Sequence, residues 1–349
     1  MRIVDTDTHM RIGPGIKGIY PYMPENWQKY FKTKREELPS GGGAGDNPLG
    51  TSGGRDNAKP PNGGPAGSDP EFMRTDLLDR WGIDVSILNC VESMMVATGQ
   101  KGSSTDESIV LCSAINDYYL NEWTPVDKRY RYTLIVPTRD PLAAAKEIHR
   151  CANNPAVAGI DFAPLDSILM GNRYYYPIYE AAAQHNLPIY QHVASLPDFR
   201  SMTDKFVDRH NCVFATVNLH LSSALFSGLF ERFPNLKVVF AEFGFAWVAP
   251  FLWRADNSWE ALPSETPLLK KAPSEYVHGH VWWTSQPVPT SKHPKEVDQM
   301  IDMMGDDLIV FSTDYPHWDN DAPSQTFFMR SEESRRRIFA ENAAKAFRI

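Results

Sequence analysis

The first residues of the chain that could do chemistry follow a short apolar run at the N-terminus: Asp5, Asp7 and His9. Alternate side chains of a β-strand point to the same side, so in an extended segment these three would share one face. A carboxylate and an imidazole two residues apart on rigid backbone can bind one divalent ion together. A solvated polar loop after a first strand is the alternative interpretation.

Polar residues also end several later apolar segments. They are His192, Glu242, Gln286 and Asp314, with His317 shortly after the last of them. An ionisable group that ends a buried apolar strand is costly unless it is paired or bound to a metal. We therefore expect these side chains to converge on one site.

Each ionisable residue of this set has a structural alternative. His192 could be a core histidine bonded to the backbone, Asp314 could cap a helix, and Glu242 could pair with Arg254. Taken jointly, the pattern favours a site for one ion with room for water or a substrate. The predicted metal ligands are Asp7, His9, His192 and Asp314.

One divalent ion is expected rather than two. The predicted fourth strand, residues 157–162, has no lysine that could be carboxylated to bridge two ions, although its Asp161 could be a polar neighbour of the site. Two histidines and two carboxylates fit zinc, and manganese suits the oxygen ligands nearly as well. Zinc is the ion we expect, with manganese as the alternative.

The elements that would position these residues alternate regularly. Apolar strand-like runs and helical stretches follow one another from Glu71 onwards, and with the opening strand they give eight strands. Near-continuous apolar strands are typical of a parallel sheet that is buried on both faces. Over 349 residues this pattern favours a (β/α)8 TIM barrel in a single domain, residues 1–349, with the site at the carboxyl ends of the strands.

Residues 40–70 interrupt this alternation. The segment is rich in glycine and proline and has almost no apolar residue to bury. We predict a flexible low-complexity insert within the barrel. It could be a tolerated surface loop or a lid beside the first strand.

Composition limits the partners of the protein. A formal net charge of −8 argues against nucleic acid or an acidic membrane surface. No apolar run approaches the roughly 20 residues of a membrane span, and no signal peptide is visible. The four cysteines are widely spaced without a CxxC pair, which indicates reduced thiols. We expect a cytoplasmic protein with a small-molecule substrate.

Tryptophans accompany the predicted site. Trp282 and Trp283 are adjacent on the predicted seventh strand, so they must point in opposite directions, and one of them would face the mouth of the barrel. Packing in the core is the alternative for each tryptophan. With Trp247 and Gln286 they are predicted to line a pocket for an aromatic or conjugated substrate.

Several motifs together resemble the amidohydrolase-related family that contains aminocarboxymuconate-semialdehyde, γ-resorcylate and carboxyvanillate decarboxylases. They occupy residues 5–9, 82–85, 176–183, 187–192, 228–239, 311–318 and 341–343. The resemblance implies a metal-dependent (β/α)8 barrel and a homodimer. The family's first-strand motif falls on Asp7 and His9, its strand-five histidine on His192, and its strand-eight aspartate on Asp314.

The chain departs from this family pattern at strand six. Decarboxylases of the family usually carry a histidine where this chain has Glu242. An imidazole can transfer a proton near pH 7, whereas a carboxylate does so only with a raised pKa or as a base. His220 and His317 are candidates to replace the missing imidazole, against a structural role for each.

Three functions remain open. The resemblance favours non-oxidative decarboxylation of an aromatic or conjugated acid, with a protonated Asp314 delivering its proton to the carbon that loses CO2. The presence of Glu242 favours a second function nearly as strongly, namely a metal-dependent hydrolase of a C–N, ester, lactone or C–C bond. In that reaction Asp314 would deprotonate water, and Glu242 would orient the leaving group or act as a second acid or base. A barrel that binds a metal or ligand without turnover is the third, although no predicted ligand is missing.

Overall fold

The fold is a barrel of parallel strands. The computed structural model describes residues 1–34, 38, 54–99, 103–165, 167–192, 205–212 and 214–349. Within these residues eight strands pair in parallel and in chain order, which confirms the predicted (β/α)8 TIM barrel. The strands are β1 Val4–Met10, β2 Val85–Cys90, β3 Tyr130–Ile135, β4 Val157–Asp161, β5 Ile189–His192, β6 Val238–Ala241, β7 Val281–Thr284 and β8 Ile309–Val310.

Helices follow the strands and pack outside them. Residues 214–232 form two helices rather than one, because Gly228 adopts a left-handed φ of 70° between them. No described helix is long and apolar enough to cross a membrane. The helices are α1 Ile16–Ile19, α2 Glu25–Lys34, α3 Pro70–Met73, α4 Ser93–Thr98, α5 Thr105–Tyr118, α6 Pro141–Cys151, α7 Tyr176–Gln184, α8 Phe206–Cys212, α9 Phe214–Phe226, α10 Leu229–Arg232, α11 Val248–Ala261, α12 Pro273–His280, α13 Pro294–Met304, α14 Glu332–Arg336 and α15 Asn342–Ala346.

Backbone hydrogen bonds join the last strand to the first. The N–H of Thr6 donates to the carbonyl of Phe311 at 3.0 Å, and the N–H of Asp314 donates to the carbonyl of Asp7 at 3.0 Å. The N–H of His9 donates to the carbonyl of Tyr315. These bonds bring the polar ends of β1 and β8 side by side.

The barrel interior is filled by apolar side chains from the strands. One buried cluster contains Val4, Tyr190, Val239 and Trp282, and it includes Phe347 from the C-terminus. The side chain of the next residue, Arg348, donates to the carbonyl of Val157, where β4 begins. This apolar plug therefore closes the amino end of the barrel, which leaves the carboxyl end for polar residues.

Part of the predicted insert lies beside that polar end. Residues 54–70 are described, whereas residues 40–53 lie outside the described part of the chain. Gly54 pairs with His317 in an antiparallel bridge, and the N–H of Arg55 donates to the carbonyl of Pro316 at 2.9 Å. The N–H of Arg11 donates to the carbonyl of Gly67 at 2.8 Å. These bonds attach residues 54–70 to the ends of β1 and β8.

Asp5 ties β1 to the segment after β8. Its fully buried carboxylate accepts hydrogen bonds from the N–H and hydroxyl of Thr313, the hydroxyl of Thr8 and the N–H of Asp7. The strand pattern predicts that Asp5 shares one face with Asp7 and His9. That prediction is wrong for Asp5, because the pairing register of β1 shifts between Asp5 and Thr8. Burial raises the pKa of Asp5 to about 7, although these hydrogen bonds act to lower it.

Two glycines allow a test of how residues 54–70 pack. Gly67 and Gly63 have φ values of 80° and 82°, but a Cβ on Gly67 would lie 2.7 Å from the carbonyl oxygen of His9, whereas a Cβ on Gly63 has nothing within 4 Å. We expect Gly63→Ala to cost about 1–2 kcal/mol of unfolding free energy for left-handed backbone alone. Gly67→Ala should cost roughly 1–3 kcal/mol more, because the end of β1 must shift. Urea unfolding measures both, and equal losses would contradict this packing.

A second prediction concerns the pH dependence of stability. Because the folded-state pKa of Asp5 is about 7 against an ordinary 3.8, folding favours its protonated form. Its contribution is fully present below about pH 4 and falls by roughly 4 kcal/mol as the pH rises to 7. We expect Asp5→Asn to remove this dependence, since an amide can accept the two N–H bonds and donate to the two hydroxyls.

Asp5→Ala serves as the comparison, because it leaves two buried N–H groups without an acceptor at about 1–3 kcal/mol each. The measurement is the unfolding free energy of the three proteins between pH 4 and pH 8. A difference between wild type and Asp5→Asn that stays constant over this range would refute the titration.

Candidate metal centre

Side chains from four strands meet at the carboxyl end of the barrel. The end of β1 supplies two, the end of β5 one, the residue after β6 one, and the segment after β8 two. These residues are Asp7, His9, His192, Glu242, Asp314 and His317.

The imidazole nitrogens lie close to carboxylate oxygens. Nε2 of His9 is 3.4 Å from Oδ1 of Asp7 and 3.0 Å from Oδ1 of Asp314. Nε2 of His192 is 3.7 Å from Oδ2 of Asp7 and 2.9 Å from Oε2 of Glu242. Nitrogen and oxygen atoms that share one ion through bonds of about 2.1 Å are themselves about 3–4 Å apart, which matches these separations.

Two overlapping groups of these residues could each hold a metal ion. In each group the ligand atoms lie within 4.8 Å of one another. Three of the four sequence-predicted ligands are in the first group, whereas Asp314 is in the second, and His9 and Glu242 belong to both. The groups are Asp7, His9, His192 and Glu242, and His9, Glu242, Asp314 and His317. Buried oxygen and nitrogen donors of this kind suit a divalent ion.

Neighbouring strands fix the orientation of Asp7. The amide nitrogen of Asn89 donates to Oδ1 of Asp7 at 3.0 Å, and the hydroxyl of Thr133 donates to Oδ1 of Asn89 at 2.6 Å. Neither Asn89 nor Thr133 was predicted from the sequence. The available signal was a polar residue inside an otherwise apolar strand, which is costly unless its hydrogen bonds are satisfied.

Glu242 and Asp314 share an unusual backbone conformation. Their φ values are 64° and 58°, in the left-handed region that residues with a Cβ rarely adopt. The N–H of Glu242 donates to the hydroxyl of Thr284 on β7 at 2.9 Å, and the N–H of Asp314 is held by β1. Strained residues of this kind cluster at functional sites, where surrounding contacts maintain them.

The two histidines proposed to replace the missing imidazole have different surroundings. Nδ1 of His317 lies 2.6 Å from Oδ1 of Asp314, and its ring centroid is 4.4 Å from that of His9. Nδ1 of His220, by contrast, accepts a hydrogen bond from the N–H of Met170, and burial lowers its pKa to about 4. His317 is therefore part of the cluster. His220 lies on α9 and makes a structural contact with the backbone of Met170.

Burial and mutual charge shift the titration of the cluster. Burial opposes ionisation of Asp7, but His9 and His192 outweigh it and lower the pKa of Asp7 to about 2. Burial raises the pKa of Asp314 to about 7, and burial with the charge of Asp314 raises the pKa of Glu242. Burial lowers the pKa of His9 to about 3, although the charges of Asp7 and Glu242 act to raise it.

The predicted pocket residues lie in three different places. Trp283 is fully buried, with ring centroids 6.0 Å from those of Phe240 and Trp247, in the layer between the strands and the helices. Trp282 points into the barrel interior and belongs to the apolar plug. The adjacent tryptophans thus point in opposite directions as predicted, and the inward one packs among apolar strand residues.

Gln286 lies at the mouth of the barrel. Its backbone N–H donates to the hydroxyl of Ser312, and its side-chain nitrogen donates to the carbonyl of Asp319 at 3.2 Å. Its side-chain oxygen is buried and has no hydrogen-bond partner among the described residues. The Asp319 carboxylate lies 3.2 Å from Nε2 of His210 on α8. Asp319 therefore contacts both Gln286, which follows β7, and His210.

Comparison with known proteins agrees with this architecture. A γ-resorcylate decarboxylase of Polaromonas sp. is 25% identical over 302 residues, which cover 80% of this chain and 88% of the relative. The 2-amino-3-carboxymuconate-6-semialdehyde decarboxylase of Dictyostelium discoideum is 24% identical over 71% of this chain and 67% of the relative.

Among solved structures, the 5-carboxyvanillate decarboxylase of Novosphingobium aromaticivorans, in complex with manganese and 4-hydroxy-3-methoxy-5-nitrobenzoic acid, superposes with a TM-score of 0.73. It is 20% identical, and the match covers 99% of this chain and 95% of that one. That likeness is one of fold. The family model described as amidohydrolase matches residues 4–349, so the chain belongs to the amidohydrolase family.

Proposed function

We propose that this protein is a metal-dependent enzyme that removes the carboxylate of an aromatic or conjugated acid as CO2, without oxidation. The observation that carries the proposal is the convergence of Asp7, His9, His192 and Asp314 in one buried cluster. The decarboxylase names of its relatives support the same reaction.

The proposed ligands are the four that the sequence predicts. A bound divalent ion would supply a Lewis acid that holds the substrate carboxylate and a neighbouring oxygen. Asn89 and Thr133 keep the Asp7 carboxylate in place, since they form a chain of hydrogen bonds behind it. Asp5 fixes the backbone from which Asp7 and Asp314 extend.

Asp314 is the proposed proton donor. When the bond between the substrate carbon and its carboxylate breaks, the electron pair stays on the carbon, CO2 leaves, and the carbon takes a proton. In the metal-free cluster burial raises the pKa of Asp314 to about 7, so its carboxyl holds a proton more readily than an ordinary aspartate does. His317 lies 2.6 Å away and can return a proton to Asp314 after turnover.

Manganese is the ion we propose to test first, ahead of the zinc expected from the sequence. Carboxylate oxygens are ligands that suit manganese, whereas imidazole nitrogens are ligands that suit zinc. The cluster has three carboxylates, because Glu242 joins Asp7 and Asp314. The solved 5-carboxyvanillate decarboxylase holds manganese, which supports the same choice for this chain.

We also propose a cytoplasmic location and a homodimer. All four cysteines are free thiols, and three of them are buried. Burial raises the pKa of Cys90 well above its usual value, so this thiol is inert, as expected of a reduced structural cysteine. The homodimer rests on the family resemblance alone.

Hydrolysis is the second candidate, and Glu242 is the observation that favours it. Its Oε2 is 3.9 Å from Nε2 of His9 and therefore faces the same point as the proposed ligands. In a hydrolase Asp314 would take a proton from water, and Glu242 would orient the leaving group or act as a second acid or base. A carboxylate at this place is more readily explained by that role than by decarboxylation.

Assays of both reactions test the proposal. Protein loaded with manganese or zinc should release CO2 from at least one hydroxylated aromatic acid in a panel, and treatment with a chelator should abolish this activity until metal is restored. Asp314→Asn should lower kcat by about 100-fold or more, because it removes the proton donor. Ester, lactone and amide hydrolysis is measured in parallel.

Asp302→Asn is the matched control, since this largely exposed carboxylate contacts Arg330 on the outside of the barrel. It should retain wild-type activity. Release of CO2 that survives both chelation and Asp314→Asn would rule out the proposed mechanism, and activity found only in the hydrolytic assays would favour the second candidate.

A further inference from the structure

Backbone contacts hold Glu242 at the carboxyl end of the barrel. It follows β6 directly, at the end where the other strands present the proposed ligands, and its left-handed φ of 64° matches the 58° of Asp314. A residue with a Cβ adopts this conformation at a cost of roughly 1–2 kcal/mol. The hydroxyl of Thr284 holds the Glu242 N–H, so the neighbouring strand maintains the conformation.

The carboxylate of Glu242 points into the cluster. Its Oε2 lies 2.9 Å from Nε2 of His192 and 3.9 Å from Nε2 of His9. With bonds of about 2.1 Å, adjacent ligands of one ion are about 3.0 Å apart and opposite ligands about 4.2 Å apart, so the first separation matches adjacent ligands and the second lies below the opposite limit. A carboxylate that only oriented a leaving group would not need to approach both imidazoles.

Three carboxylate oxygens of the cluster are buried without a hydrogen bond among the described residues that would satisfy them. Oδ2 of Asp7, Oε2 of Glu242 and Oδ2 of Asp314 have no well-aligned hydrogen bond to any described residue. The approach of Glu242 to His192 is close, but the two groups are not aligned as donor and acceptor. Buried carboxylate oxygens without hydrogen bonds are rare in proteins, and a shared cation is the simplest group that satisfies all three.

We propose that Glu242 is itself a ligand of the divalent ion, beside Asp7, His9 and His192. The proposal rests on the metal-dependent function described above and deepens it. Coordination by Glu242 gives the ion a third carboxylate beside Asp7 and Asp314. It also removes Glu242 from acid–base work, so proton transfer falls to Asp314 and His317.

Glu242→Gln and Glu242→Ala test this assignment through metal binding rather than activity. Both variants should bind manganese at least 10-fold more weakly than wild type, since even the residues behind a ligand usually contribute 10- to 100-fold. The affinity is measured by competition with a chelator, and the metal content is measured by mass spectrometry after dialysis. The absorption spectrum of cobalt-loaded protein should change as well, because the ion loses a carboxylate ligand.

Asp161→Asn is the matched control. Asp161 is a buried acid at the end of β4, at the same end of the barrel, but it is outside both groups of potential ligands. Its substitution removes a comparable charge, so any general electrostatic effect on the ion appears in this variant too. The loss of affinity in Glu242→Gln should exceed that in Asp161→Asn by at least 10-fold.

The outcomes separate this proposal from the proposed function. Wild-type protein that binds no manganese or zinc would overturn both. Wild type that binds one ion, with Glu242→Gln and Asp161→Asn of equal affinity and an unchanged cobalt spectrum, would overturn only the role of Glu242. Glu242→Gln has nearly the same shape as the native residue, so it provides a folded variant even where Glu242→Ala does not fold.

Discussion

Burial of several carboxylates at one point is the constraint on which this structure depends. Asp7, Glu242 and Asp314 all place oxygen atoms within 4 Å of Nε2 of His9. At an effective dielectric constant of about 20, two like charges 4 Å apart repel by roughly 4 kcal/mol. The barrel can hold this arrangement only if positive charge is supplied, by protons on the imidazoles and carboxyls or by a metal ion.

The rest of the fold serves to impose that arrangement. The hydrogen bonds between β1 and the segment after β8 bring Asp7 and Asp314 together, and Asp5 locks the same junction from behind. Contacts with neighbouring strands hold Asp7 and Glu242 in place from the side. A packed apolar plug at the other end makes the barrel rigid, so the ligands cannot separate to relieve their repulsion.

Much of this architecture could be predicted from the sequence because it depends on local patterns. The alternation of apolar strands and helices predicted the barrel, and the rule that strand ends converge predicted that Asp7, His9, His192 and Asp314 would lie together. The roles of Asp5, Asn89 and Thr284 could not be predicted in this way. They depend on a register shift in β1 and on which residue of the next strand lies opposite, and periodicity in one sequence contains neither.

The residue that follows β6 determines part of the charge that the site presents to a substrate. A histidine at the end of this strand can be neutral, so it adds no charge where an anionic substrate must approach. Glu242 adds a negative charge there whenever it is ionised, and burial together with the charge of Asp314 raises the pKa of Glu242. An aromatic carboxylate would enter such a site more easily if the Glu242 charge were neutralised first. Coordination to a divalent ion achieves that without a proton, so the ligand role of Glu242 reconciles its presence with decarboxylation.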